Sequence, residues 1–244
     1  MSYELYYWDG IQGRGEFVRL ALEEAGAGYT DVSRGDGPDE GTGAMLDIMK
    51  HGSDSFLPFA PPFLKDGDVM ISHVANILMY LGPRLGLVPS DEPSRYLANG
   101  LQLTITDLLA EVHDTHHPLS TGLYYEDQKD AAKARSKAFI EERIPKFLGY
   151  FERIVAANPA GTGHSVGRGI SYVDLSLFQV MEGLCYAFPR AMRGYGKRYP
   201  ALERLRGIVA ERPNIARYLQ SDRRLAFNEN GIFRHYPELD QDID

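Results

Sequence analysis

Polar and apolar positions along the chain change period several times, and each change predicts an element. Tyr3-Glu4-Leu5-Tyr6-Tyr7-Trp8 alternates and is rich in aromatics, which predicts a strand reaching Tyr7 or Trp8. Phe17, Leu20, Ala21 and Glu24 then fall at helical spacing, and Gly26 supplies a stop. Tyr29-Thr30-Asp31-Val32-Ser33 predicts a second strand, and Gly35 to Gly43 a loop. A short helix over Ala44 to Lys50 turns Met45, Ile48 and Met49 to one side. A strand begins near Phe63, turns at Lys65-Asp66-Gly67-Asp68 and returns as Val69-Met70-Ile71. Ser72 reads as the N-cap of a helix carrying Val74, Ile77, Leu78 and Leu81 inward, closed by Gly82-Pro83. The order β-α-β-α-β-β-α makes residues 1–83 a small α/β domain.

Residues 84–93, with Pro89 and Pro93, read as a linker, and everything from 94 to 244 as helical. Arg95 to His117 predicts one long helix and Glu126 to Ala157 another, closed by Asn158-Pro159. Ser171-Tyr172-Val173-Asp174, directly before an apolar run, is a capping-box pattern. Pro200 to Glu211 and Asn214 to Ser221 are shorter helices separated by Pro213. There are no internal repeats.

Composition narrows the function classes. Hydrophobic residues make up 43% of the 244, enough for a sizeable core. No stretch approaches a membrane span and no signal pattern opens the chain, so the expectation is a soluble, cytoplasmic protein. A formal net charge of −8 without a basic block argues against nucleic acid. Cys185 is alone, which excludes a disulfide framework and a Cys-x-x-Cys redox or metal site.

The chemistry-bearing stretch is the first turn. A tyrosine at the carboxyl end of a strand, facing a helix amino terminus, sits where ligands of open α/β sheets bind and where anions are favoured. By itself the stretch reads first as Tyr6 and Tyr7 in ordinary core and edge packing.

The whole pattern resembles the glutathione S-transferases, over nearly the entire chain. Tyr7-Trp8-Asp9 followed by Gly13 is similar to the opening of the mu class, with Gly10 as an extra residue in the turn. Gly13-Arg14-Gly15-Glu16 is closer to the alpha and sigma classes. Pro62, ahead of the Phe-Leu-Lys-Asp-Gly-Asp hairpin, occupies the position of the family's cis-proline, and Ser171-x-x-Asp174 matches its capping motif. The resemblance implies a thioredoxin-like N-terminal domain that binds glutathione and an all-α C-terminal domain for the electrophile and for dimerisation. It implies glutathione as co-substrate, small hydrophobic electrophiles, a homodimer and a detoxifying transferase.

Family members that use Cys or Ser place it at this turn. Asp9 to Gly15 contains neither, which leaves tyrosine. Tyr7 is the primary candidate, with Tyr6 and Arg14 as fallbacks. Tyr6 and Tyr7 point to opposite faces of a strand, so only one can serve. A thiol of pKa about 8.5 is mostly protonated at neutral pH, and the thiolate is the nucleophile. A phenol donating to the sulfur contributes roughly 1.5–3 kcal/mol to its ionisation. The helix amino terminus adds roughly 0.3–1 kcal/mol.

The resemblance also points to binding residues. Lys50 matches a mu-class lysine that meets the glycyl carboxylate, and also reads as a solvated helix end. Trp8 matches a tryptophan that packs on the ligand, and Asp107 a carboxylate that approaches the glutamyl amine from the neighbouring subunit. Two positions depart from the pattern. His73-Val74 stands where the family has a Gln/Glu-Ser pair, and His73 either replaces the lost contact or caps the helix. Pro61 precedes the cis-proline and has no N–H to give the tripeptide. Both departures motivate an alternative, a non-catalytic relative kept for binding or assembly. A second alternative is a related enzyme that uses glutathione for isomerisation, peroxide reduction or dehalogenation.

Glu111, His113, Asp114, His116 and His117 offer metal-type ligands, but no second ligand group accompanies them and Pro118 ends the helix, so no metal is expected and the histidines read as lining the electrophile pocket or capping the helix end. Tyr124-Tyr125 with Phe233 and Tyr236 reads either as a wall for an apolar substrate or as packing of the tail.

Overall fold

The computed structural model describes residues 2–52 and 56–242. Strand β1 (Tyr3–Tyr6) lies inside a four-stranded sheet of order β2-β1-β3-β4. It runs parallel to β2 (Tyr29–Asp31) and antiparallel to β3 (Phe63–Asp66), which turns at Gly67 into antiparallel β4 (Val69–Ser72). The period of two decides the packing. Leu5, Leu64 and Ile71 face Val18 and Leu22 of helix α1 (Gly15–Glu24) and Ile77 and Leu81 of α3 (Val74–Arg84). Tyr6 and Phe63 face the opposite side, against Val32 and Met45 of α2 (Gly41–His51). The first strand ends at Tyr6, so Tyr7 and Trp8 already belong to the turn.

Helix α1 departs from the amphipathic reading: all ten of its residues are buried. Its acids are covered by the end of the chain instead of by water, and its base, Arg19, pairs with Asp31 of β2 at 2.6 Å. Glu16 meets Arg224 and the Tyr218 hydroxyl, Glu23 pairs with Arg223 at 2.8 Å, and Glu24 pairs with Arg212. Buried charges persist only when paired and hydrogen-bonded.

Three expected boundaries move for identifiable reasons. Ser72 is the last residue of β4, and His73, at φ 71°, is the residue before α3. Helix α3 passes through Gly82-Pro83 and stops at Gly86, φ 69°, where Leu87 N–H donates to the Gly82 carbonyl at 2.8 Å, a Schellman bond. Gly82 is needed for packing as well, since a Cβ there would lie 2.8 Å from the Tyr172 ring. Helix α4 (Glu92–Asp114) begins inside the predicted linker, capped by Asp91, whose side chain accepts Ser94 N–H at 2.9 Å, with Pro93 in its first turn.

The long helix expected over Glu126 to Ala157 is two, α5 (Lys129–Ala138) and α6 (Ile144–Ala157), joined by a widened turn over Phe139–Arg143. Pro145 supplies no N–H to the Glu141 carbonyl, and the wider turn absorbs that loss. Helix α7 (Tyr172–Ala187) is the axis of the helical part, buried almost throughout and packed against α1, α4 and α9 (Pro200–Ala210). Its capping box is complete, with Ser171 and Asp174 each accepting from the other's backbone N–H. Such a cap contributes about 1 kcal/mol. Short α8 (Tyr195–Arg198) and α10 (Pro213–Leu219) finish the chain, the latter against α1. Among the described residues no helix is long and apolar enough to cross a membrane.

Candidate active site

The turn after β1 is built around the Tyr7 ring. Gly13, at φ 45°, and Gly15 approach it so closely that a Cβ at either would collide with the ring. The Tyr7 hydroxyl accepts the backbone N–H of Arg14 at 2.8 Å, and the Arg19 guanidinium lies 5.8 Å from the ring centroid. Burial pushes the phenol's pKa up, against the Arg14 N–H and the charges of Arg14 and Arg19, so at neutral pH Tyr7 keeps its proton. Its oxygen is already an acceptor; its hydrogen is the group left to donate.

Tyr6 is held elsewhere. Its hydroxyl donates to Glu4 at 2.7 Å, beside Lys65, and its ring stacks on Phe63 with centroids 4.6 Å apart. Burial, then the Glu4 carboxylate, push its pKa far up. It faces α2, on the side of the sheet away from the turn.

Beside the turn lies a cavity of about 340 Å³ lined by Arg14, Phe59, Ala60, Pro61, Pro62, Ser72, His73, Val74, Thr106 and Leu109. Candidates Arg14, Pro61, Pro62, His73 and Val74 therefore meet at one place. The Pro61-Pro62 peptide is cis, and the His73 N–H donates to the Pro62 carbonyl at 3.3 Å, so two walls of the cavity are tied directly. His73 is the only non-glycine residue at positive φ among those described, a conformation L residues keep only where their surroundings impose it.

Other candidates lie outside this lining. Trp8 is 37% exposed, and Lys50 is exposed at the end of α2. Asp107 lines a second, open cavity of about 570 Å³, with Thr104, Glu111, Arg143, Lys146, Phe147, Tyr150 and Arg153. Conversely, Phe59, Ser72, Thr106 and Leu109 line the first cavity although no motif marks them. The spacing of Thr106 and Leu109 on α4 is the available signal for two of them.

The aromatic group of the tail does not wall one pocket. Tyr125 stacks on Tyr236 at 3.9 Å and bonds Glu238, Phe233 fills the space left by Gly183, and Tyr124 is exposed. What the tail covers is the first turn: Asn228 donates to the Gly10 carbonyl at 2.9 Å, and Gln12 donates to the Leu225 carbonyl. Gln179 of α7 donates to Gln12 at 2.8 Å and accepts from Arg224 at 3.0 Å. A largely buried chain Gln12–Gln179–Arg224–Glu16 thus holds the turn against the helical part.

The histidines at the end of α4 do converge. His113, His116 and His117 present ligand atoms within 4.8 Å of one another. Burial lowers the pKa of His113 to about 4 and of His116 to about 3.

Comparison with known proteins agrees with this architecture. Residues 113–222 match the family described as glutathione S-transferase, C-terminal domain. The chain is 25% identical to a glutathione S-transferase of Plasmodium falciparum, covering 88% of this chain and 93% of that protein. It is 28% identical to glutathione S-transferase P 2 of Bufo bufo, covering 94% and 99%. The pi-class glutathione S-transferase structure of Onchocerca volvulus superposes with a TM-score of 0.70 at 22% identity, over 95% of this chain and 99% of that one. That shared fold is a thioredoxin-like domain joined to an all-α domain. Together, the domain match and the relatives along most of the chain make it similar to glutathione S-transferases in both sequence and fold.

Proposed function

We propose that the protein is a glutathione transferase that joins the glutathione sulfur to small hydrophobic electrophiles. The observation that carries this reading is the Tyr7 phenol, protonated and anchored at the amino end of α1 by the N–H of Arg14, a residue of the cavity lining. Bound glutathione loses its thiol proton to solvent, and the thiolate is stabilised by the Tyr7 O–H and by the helix end. The sulfur lone pair then forms the bond to the electrophilic carbon, and the leaving group departs with its electron pair. Phe59, Ala60, Pro61, Pro62, Val74 and Leu109 make the cavity largely apolar, which suits an apolar second substrate.

Recognition of the tripeptide is reduced on two sides. Pro61 offers a carbonyl and no N–H, which removes a hydrogen bond worth on the order of 1 kcal/mol. Val74 supplies no hydroxyl, so the γ-glutamyl carboxylate depends on the free N–H groups at the start of α3. Ser72, in the same lining, brings a hydroxyl nearby.

A homodimer fits the apolar side chains left in solvent at Phe59, Val69, Tyr96, Leu97 and Leu103, with Asp107 on the exposed side of α4. A lone cysteine fits a reducing compartment such as the cytoplasm. Pro61 and Val74 also favour a second reading, a relative that keeps the fold for binding without transfer.

Calorimetric titration with glutathione, followed by conjugation of an aryl halide, separates the two. Saturable binding with turnover supports the transferase; binding without turnover supports the second reading. No detectable binding at millimolar glutathione contradicts the transferase.

A further inference from the structure

The end of α4 carries a cluster that the transferase chemistry does not use. The carbonyl of His113 accepts the N–H groups of both His116 and His117, each at 3.2 Å, which curls the chain back as the helix ends. The three rings are thereby brought together, with centroids 4.8–5.3 Å apart. Among the described residues no other group of three or more His, Cys, Asp or Glu side chains converges in this way.

The orientation of His116 is specific. Its Nε2 lies 2.9 Å from the Ile232 carbonyl, which can only accept, so Nε2 carries the proton and Nδ1 keeps its lone pair inside the cluster. Metal-bound histidines characteristically give their outer N–H to a carbonyl in this way. The inner Nδ1 of His116 stands 2.5 Å from Nδ1 of His117 and accepts its proton in the metal-free chain, so an ion that displaces that proton finds two nitrogen lone pairs side by side. We propose that His113, His116 and His117 form a binding site for a borderline divalent transition ion of the Zn²⁺ class. Three imidazole nitrogens ligate it, and water fills a fourth position.

At 2.0–2.1 Å from each nitrogen, tetrahedral ligands stand roughly 3.3 Å apart. The separation of His116 and His117 must therefore widen by less than about 1 Å, and the widest pair, within 4.8 Å, must close by up to about 1.5 Å. His117, only partly buried, has room to make that move. Arg14 and Arg234 act on the cluster and oppose a cation, while Asp114, 3.9 Å from His113, and Glu126 favour one. Thr106, Leu109 and His113 follow one another along one face of α4, and the first two line the main cavity. An ion here ties that wall, through His116 and Ile232, to the tail. The site stands whether or not the chain conjugates glutathione.

The test is calorimetric titration of the tag-free, chelator-treated full chain with ZnCl₂, and with CoCl₂ followed by visible absorption. One saturable equivalent and the absorption bands of four-coordinate cobalt are expected. His113→Ala and His117→Asn, both at partly exposed positions, should each weaken binding by more than the roughly tenfold that loss of an outer-shell partner costs. Unchanged circular dichroism and metal-free melting in both variants keep folding out of the comparison. His51→Ala on α2 should bind as wild type. Absence of saturable binding, or binding that survives in both cluster variants, overturns the proposal.

Discussion

The backbone N–H of Arg14 donates to the Tyr7 hydroxyl at 2.8 Å, so the residue that opens the cavity wall also fixes the phenol beneath it. Tyr7→Phe removes the phenol hydrogen bond that the proposed mechanism gives the thiolate. At neutral pH, kcat/KM for aryl halide conjugation is expected to fall about 10- to 100-fold, the equivalent of a charge-assisted hydrogen bond. Tyr6→Phe, whose hydroxyl is bound to Glu4 on the other face, should change it less than about twofold. Steady-state kinetics of the two variants, side by side, decide the assignment.

Gly15 offers a test in which the sign matters. Alanine is preferred to glycine in a helix by about 1 kcal/mol, so propensity alone predicts a more stable protein. Here a Cβ lies 2.6 Å from the Tyr7 ring, and overpacking of this kind costs about 1–3 kcal/mol. Gly15→Ala should therefore lower the denaturation midpoint in urea and reduce activity with it. A stabilised, active variant would mean that the ring has room to move.

Arg224 is expected to dominate the hold of the tail on α1. It pairs with fully buried Glu16, which also meets Arg19 at 3.4 Å and the Tyr218 hydroxyl at 2.7 Å. Arg224→Met strands part of that carboxylate's charge and should cost about 3 kcal/mol or more in chemical denaturation. The double variant Glu16→Gln/Arg224→Met removes both charges and should recover much of the loss. Additive losses would show that the two side chains act independently.

Cys185 should be chemically quiet. Burial pushes its thiol up to about 11, so it is protonated across the physiological range and becomes thiolate only as pH rises toward that value. Against a free thiol near pKa 8.5, alkylation by iodoacetamide at about pH 8 is expected to run on the order of 100-fold slower, and to accelerate steeply above about pH 10. Intact-mass spectrometry follows it directly. Cys185→Ser should leave conjugation unchanged, since every sulfur that reacts is the bound one.

How far each feature is legible in the residues depends on the range of the interaction. Local rules carry the hairpin at Gly67 and the capping box of Ser171 and Asp174, whose partners are three residues apart. They also carry the change of period that separates a sheet from a helical run. The end of α3 escapes them because Gly82-Pro83 is a strong local stop, while the operative signal, Gly86, lies four residues on. The all-round burial of α1 is invisible for a different reason. Glu16, Glu23 and Glu24 look like a solvent face until Arg224, Arg223 and Arg212, about 190–210 residues away, are folded over them. The choice between Tyr6 and Tyr7 is undecidable from the strand alone. In space Glu4 and Lys65 hold Tyr6 on one side, and Gly13 and Gly15 close on Tyr7 on the other. The histidine cluster needs the curl after His113, which no spacing rule contains.

The central claim is that Tyr7 ionises a bound thiol. Ultraviolet difference titration of the glutathione complex against pH measures that ionisation without any second substrate. In the wild-type complex the thiolate should form well below the pKa of about 8.5 of a free thiol. In Tyr7→Phe its midpoint should move up by about one to two units. A bound thiol that titrates like the free one, or a midpoint that stays put when the Tyr7 hydroxyl is removed, would contradict the account.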